Sequence, residues 1–178
     1  MDASALHRML DEARVTGTDI HEHVSTLMAL AGSCHQIVEF GVCLGTSTLA
    51  FLAGGCDKLD SWDIDKTHMV DKIAAAAGDR WTFHHEDSRS EDVPRCDLLF
   101  IDSLHTREQL ASELELHAWK AADRIVMHDT EEFGERGQDG GPGLRLAIID
   151  FLLEHPDQWR VEDHYANNHG LTVLRRIG

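Results

Sequence analysis

The chain has 178 residues, 42% hydrophobic and 27% charged, with 32 acidic against 16 basic side chains and a net charge of −16. That length and composition suit one soluble three-layer domain over residues 1–178. They argue against a nucleic-acid backbone as the main partner, because no Lys/Arg cluster offsets the acids, and no apolar run reaches bilayer-spanning length.

The N-terminus lacks a basic segment followed by an apolar one, so no secretory signal is expected and a cytoplasmic location follows. Residues 4–15 and 19–33 read as two amphipathic helices, forming an N-terminal helical segment over residues 1–34, with Thr18 or Asp19 capping the second. A buried strand is expected from Ile37 to Val42, then a helix from Thr46 to Leu52. Lys58–Asp65 reads as a second strand, followed by a helix ended by Gly78. Arg80–Asp87 alternates like a third strand, and Cys96–Asp102 reads as a fourth, with four apolar residues in a row. A helix with Leu110, Leu114 and Ala118 on one face leads to a fifth strand, Asp123–Asp129. The Gly-rich stretch 131–143 reads as a lid over a site or as an ordinary surface loop. A helix stopped by Pro156 precedes two final strands joined by the short turn NNHG. The four cysteines, Cys34, Cys43, Cys56 and Cys96, include no C-x-x-C pair, so reduced thiols are expected.

Alternation of strands and helices with near-continuously apolar middle strands asks for a parallel sheet covered on both faces. The last two strands, with no helix between them, must be antiparallel. The expectation is an α/β, Rossmann-like, doubly wound sheet of seven strands, mostly parallel, with the last strand reversed.

In such sheets ligands sit at the carboxyl ends of strands. Glu39 and Gly41 end the first strand, and Gly41 and Gly45 allow a tight turn and close ligand approach. A tight strand–helix turn without a ligand has the same spacing, and neither phosphate-loop pattern is complete. An acid ending strand two can accept both hydroxyls of a ribose, which suits Asp63, while Asp65 suits a helix cap. Asp87 and Ser88 follow the third strand, within reach of an adenine ring or simply as a turn.

The motifs VEFGVCLGTST, DSWDID, HHEDS, DLLFIDSLHT and RIVMHDT, in that order, resemble the class I S-adenosylmethionine-dependent methyltransferases. The resemblance is strongest to small-molecule O-methyltransferases related to the catechol type. It extends to the branch with macrolide-sugar O-methyltransferases and cephalosporin-hydroxylase-like proteins. It runs from about Asp19 to Arg176 and implies the strand order 3-2-1-4-5-7-6, the reversed strand setting it apart from dehydrogenases. It also implies that Glu39, Gly41, Gly45 and Ser47 contact the methionine end of S-adenosylmethionine, Asp63 the ribose, and Asp87 with Ser88 the adenine.

Asp102, His105, His128 and Asp129 are expected on one rim, because strands four and five should be neighbours. Two carboxylates with imidazoles could chelate a divalent cation, and a cation would relieve the repulsion between the acids. By the resemblance, Asp102 and Asp129 match metal-ligand positions, and His128 stands where an acid or its equivalent is common. The cation is then Mg²⁺ or Mn²⁺, with Fe²⁺ or Zn²⁺ made acceptable by the imidazole. His105 matches the base of catechol-type enzymes; alternatively it caps the following helix, as Asp129 and Thr130 could cap a turn. The reading is metal-assisted O-methylation of a small hydroxylated molecule, a sugar or natural product. The short N-terminal segment leaves either an open site for a large acceptor or one completed by a second subunit, and a homodimer is expected. The rivals are another enzyme or a non-catalytic binding protein on the same fold, and a NAD-dependent dehydrogenase, against which the missing third glycine argues.

Overall fold

The computed structural model describes residues 2–90 and 92–178. The chain gathers into two compact units, residues 1–88 and 89–178.

In the first unit, α1 (Ala3–Thr16) starts where the Asp2 carboxylate accepts the Ala5 N–H, and buries Leu6 and Leu10. α2 (Val24–Ala31) follows a single 3-10 turn at His21–His23. The expected cap does not form: Thr18 Oγ1 donates to Thr46 Oγ1 instead, and the helix starts without a side-chain cap. β1 (Gln36–Phe40), α3 (Thr46–Gly54), β2 (Lys58–Trp62), α4 (His68–Ala77) and β3 (Trp81–His84) complete the unit. β1, β2 and β3 pair in parallel, with Phe40 opposite Trp62 and Trp62 opposite His84. The Trp62 and His84 rings stack at 4.0 Å. Helices α2 and α3 meet at Gly54, where any Cβ would stand 2.5 Å from the Met28 carbonyl oxygen. Asp65 does not cap α4. The N-cap is Thr67, and β2 ends at Trp62, so Asp63 opens a loop rather than closing the strand.

In the second unit, β4 (Cys96–Ile101) and β5 (Ala121–His128) pair in parallel, with Ile101 opposite Met127. β6 (Trp159–Tyr165) and β7 (Leu171–Arg176) are antiparallel to each other, and β7 is antiparallel to β5. α5 (Arg107–His117) packs against α6 (Leu144–Glu154). Leu98, Leu99, Phe100, Ile125, Val126, Met127, Val173 and Leu174 form the buried centre of these strands. Stretch 131–143 is internally bonded: Arg136 bridges Pro142, Gly137 N–H donates to the Gly141 carbonyl, and Gly143 N–H donates to that of Glu135.

The sheet order is β3-β2-β1-β4-β5-β7-β6, mostly parallel with one reversed strand, as expected. Among the described residues, no helix is long and apolar enough to cross a membrane.

Candidate active site

The loop after β1 is built by alternating left-handed residues. Gly41, Cys43 and Gly45 have φ of +88°, +47° and +78°. Gly45 is also sterically constrained: a Cβ there would lie 2.3 Å from Ile73 Cδ1. Asp63 holds this loop. Its Oδ2 accepts the N–H groups of Val42 (2.8 Å) and Cys43 (3.0 Å), and its Oδ1 accepts that of Asp65 (2.8 Å). The Asp63 side chain expected at a ribose therefore also shapes the turn, and Oδ1 keeps acceptor capacity beyond its single N–H bond.

Glu39 and Ser47, expected at the methionine end, are joined in a buried hydrogen-bond network. Glu39 is fully buried and accepts hydroxyl hydrogen bonds from Ser47 (2.6 Å), Thr48 (2.7 Å) and Ser61 (2.6 Å). Ser61 in turn accepts the Trp81 indole N–H at 2.8 Å. This network ties β1 to the start of α3 and to β2. In it the Glu39 carboxylate and the Ser47 hydroxyl are bonded to each other. Thr48 and Ser61 were not legible as partners, because hydroxyls eight or more residues away carry no local signal. Asp87 is exposed and Ser88 buried in the turn that ends the unit.

The second unit carries the acid and histidine cluster. Asp102 follows β4, His128 ends β5 and Asp129 follows it, so the parallel pairing of β4 and β5 brings the three together. One ligand atom from each of Asp102, His128 and Asp129 lies within 4.8 Å of the others. His105 Nε2 lies 2.8 Å from Asp129 Oδ2 and 3.3 Å from Asp102 Oδ1. His128 Nδ1 lies 3.3 Å from Asp102 Oδ1 and 3.6 Å from Asp129 Oδ2, while its Nε2–H donates to the Asn168 carbonyl at 3.1 Å. His105 caps nothing: Thr106 is the N-cap of α5 and accepts the Gln109 N–H. His105 is held instead by the Gly-rich stretch, stacking on Phe133 at 4.7 Å and donating from Nδ1 to Gln138 Oε1. Nor does the Asp129 carboxylate cap a turn. The backbone there is left-handed, with φ +59°, and aims the side chain into the cluster.

The charges are balanced. Burial works against both imidazolium ions, but their hydrogen bonds to Asp102 and Asp129 outweigh it and raise His105 and His128 to about 10. Burial likewise works against the carboxylates, yet the imidazoles hold Asp102 and Asp129 below the usual range. At neutral pH the cluster thus contains two carboxylates and two imidazolium ions. Sequence reading missed His169, whose Nδ1 lies 3.1 Å from Asp129 Oδ1. The available signal was a histidine within a four-residue hairpin turn.

A family profile described as a methyltransferase domain matches residues 38–130, just over half of the chain. No curated protein sequence matches. Among solved structures, the chain is similar to the S-adenosylhomocysteine-bound methyltransferase PaMTH1 of Podospora anserina. There the identity is 19%, the TM-score 0.69, and the coverage 97% of this chain and 87% of that one. It is similar to the N-methyltransferase NodS of Bradyrhizobium japonicum WM9 in complex with S-adenosylhomocysteine, at 15% identity and TM-score 0.67, over 97% and 96% of the two chains. A third is the 1,6-didemethyltoxoflavin-N1-methyltransferase of Burkholderia thailandensis, at 16% identity and TM-score 0.67, over 90% and 79%. The profile match and the strand order with its reversed member agree: the chain belongs to the methyltransferase-domain family and is a class I S-adenosylmethionine-dependent methyltransferase.

Proposed function

We propose that this methyltransferase transfers the methyl group to a hydroxyl oxygen of a small molecule, a sugar or a natural product, with a divalent cation held by Asp102, His128 and Asp129. The observation that carries the proposal is the cluster itself. Two carboxylates and an imidazole converge within chelating range at the ends of two neighbouring parallel strands.

The donor set suits the cation. Exchanging the two imidazolium protons for one Mn²⁺ or Mg²⁺ leaves the cluster's net charge unchanged, so loading costs no unbalanced buried charge. The Asn168 carbonyl keeps the remaining proton of neutral His128 on Nε2, which turns the Nδ1 lone pair toward the acids. Fe²⁺ and Zn²⁺ are compatible with the same set. When bound, such an ion binds an acceptor hydroxyl and lowers its pKa.

The remaining roles belong to the chain's own residues. The first unit is assigned the methyl donor. The backbone at Gly41 and Gly45 lies against its methionine end, Glu39 and Ser47 hold that loop in shape, Asp63 takes the ribose, and Asp87 and Ser88 take the adenine. His105 takes the acceptor's proton, and it does so only in its neutral form. Methyl transfer is an in-line displacement, so an oriented and deprotonated oxygen is the main requirement. The working setting is the cytoplasm. The assembly is a homodimer, which light scattering after size exclusion reads directly.

The test is Asp102→Ala. Calorimetry should show S-adenosylhomocysteine binding within about twofold of the unsubstituted protein, while Mn²⁺ uptake is lost. Methyl transfer to a panel of catechols and sugars should fall by at least about 10³-fold, as expected when an oriented, activated nucleophile is lost. Unchanged turnover in this variant, or turnover unaffected by chelator, removes the metal reading and leaves the methyltransferase assignment in place.

A further inference from the structure

The turn between β6 and β7 contains a residue that the turn itself does not call for. Gly170 N–H donates to the Asn167 carbonyl at 2.9 Å, and the two residues between, Asn168 and His169, have φ of +46° and +68°. This is a type I′ turn, whose second central position is ordinarily glycine because a Cβ is strained there. Histidine occupies it here, and its side chain reaches the cluster.

His169 Nδ1 lies 3.1 Å from Asp129 Oδ1. That is the oxygen not shared with His105 and His128, which both face Oδ2. The same turn supplies the Asn168 carbonyl that accepts His128 Nε2–H. It is also fastened to the end of β5. Glu131 and Glu132 donate their N–H groups to the His169 carbonyl, and Thr130 donates to that of Gly170. One strained turn therefore touches two of the three candidate ligands, each on the side away from the others.

We propose that His169 is a positioning residue: it holds Asp129 by Oδ1 so that Oδ2 faces the ligand atoms of Asp102 and His128. The β6–β7 hairpin, through His169 and the Asn168 carbonyl, is then the outer layer of the cation site. This inference rests on the metal reading above and extends it to a residue outside the ligand set. Outer-layer partners of this kind commonly change metal affinity by about 10- to 100-fold.

Mn²⁺ affinity, measured by calorimetry or by electron paramagnetic resonance of the free ion, decides it for the unsubstituted protein, His169→Ala and His169→Asn. Asparagine suits a left-handed backbone, and its amide nitrogen falls near the position of Nδ1, so it can still donate to Asp129. The expected result is a loss of at least about tenfold for His169→Ala, with His169→Asn close to the unsubstituted protein. Equal affinities for all three overturn the inference. So does His169→Asn binding as weakly as His169→Ala, which would mean that the donor is irrelevant. If the unsubstituted protein takes up no Mn²⁺, the metal reading fails, and the ring ¹⁵N shifts of His105 and His128 at one pH judge His169 separately. A change in His169→Ala that His169→Asn restores supports the positioning role, and no change overturns it.

Discussion

Replacing Asp129 with asparagine isolates the charge balance of the cluster. Asparagine tolerates the left-handed backbone at φ +59° and keeps the side-chain shape, so the perturbation is the loss of one charge. In chelator, burial opposes the His105 imidazolium, but its bonds to the two carboxylates raise its pKa from 6.5 to about 10. A shift of roughly 3.5 units corresponds to a net stabilisation of the imidazolium on the order of 5 kcal/mol, what remains of the carboxylate coupling after burial has opposed it. Asp129 is the nearer acid, at 2.8 Å against 3.3 Å for Asp102, so it is assigned somewhat more than half. A raised histidine pKa stabilises the fold fully below the unfolded value of 6.5, and that stabilisation fades as pH rises through about 10. Asp129→Asn should therefore cost about 3 kcal/mol at pH near 6, or roughly 6–12 °C in melting temperature for a chain of this size. The gap should close at high pH. The His105 Hε1 proton, followed by NMR, should titrate about two units lower in the variant. A His105 that still titrates near 10 in Asp129→Asn, or a melting gap independent of pH, refutes the coupling.

Two further outcomes concern the first unit. Glu39→Gln replaces three charge-assisted hydroxyl bonds with neutral ones and sets an amide donor against hydroxyl donors. It should lower stability by about 2–3 kcal/mol, read from the urea midpoint at unchanged m-value, and weaken S-adenosylhomocysteine binding; an unshifted midpoint contradicts the network. Gly45→Ala combines strain at φ +78° with a Cβ placed 2.3 Å from Ile73 Cδ1, and should cost about 2–3 kcal/mol. Adding Ile73→Val, which lacks that δ-carbon, should recover the steric part only. Strictly additive costs in the double variant would show that the two positions do not press on each other.

The strand order and the reversed last strand were legible in the sequence, because both follow from spacing. Apolar runs separated by helical stretches require crossovers, and two strands joined by NNHG leave no room for one. The candidate ligands were legible for the same reason, since acids that end successive parallel strands gather at one edge. The helix caps were not. Thr18 and Asp65 have the right chemistry, but the first is taken by Thr46, and the second stands two residues before the Thr67 that starts the helix. Nor could periodicity reveal that Glu39 is spent on three hydroxyls, or that His169 reaches Asp129 across 40 residues. Sequence by itself determined the order of the strands and which acids lie at or just beyond their ends. Tertiary structure decided which oxygen each donor meets, because that depends on strand register and on a hairpin turn whose left-handed backbone aims its histidine at a distant carboxylate.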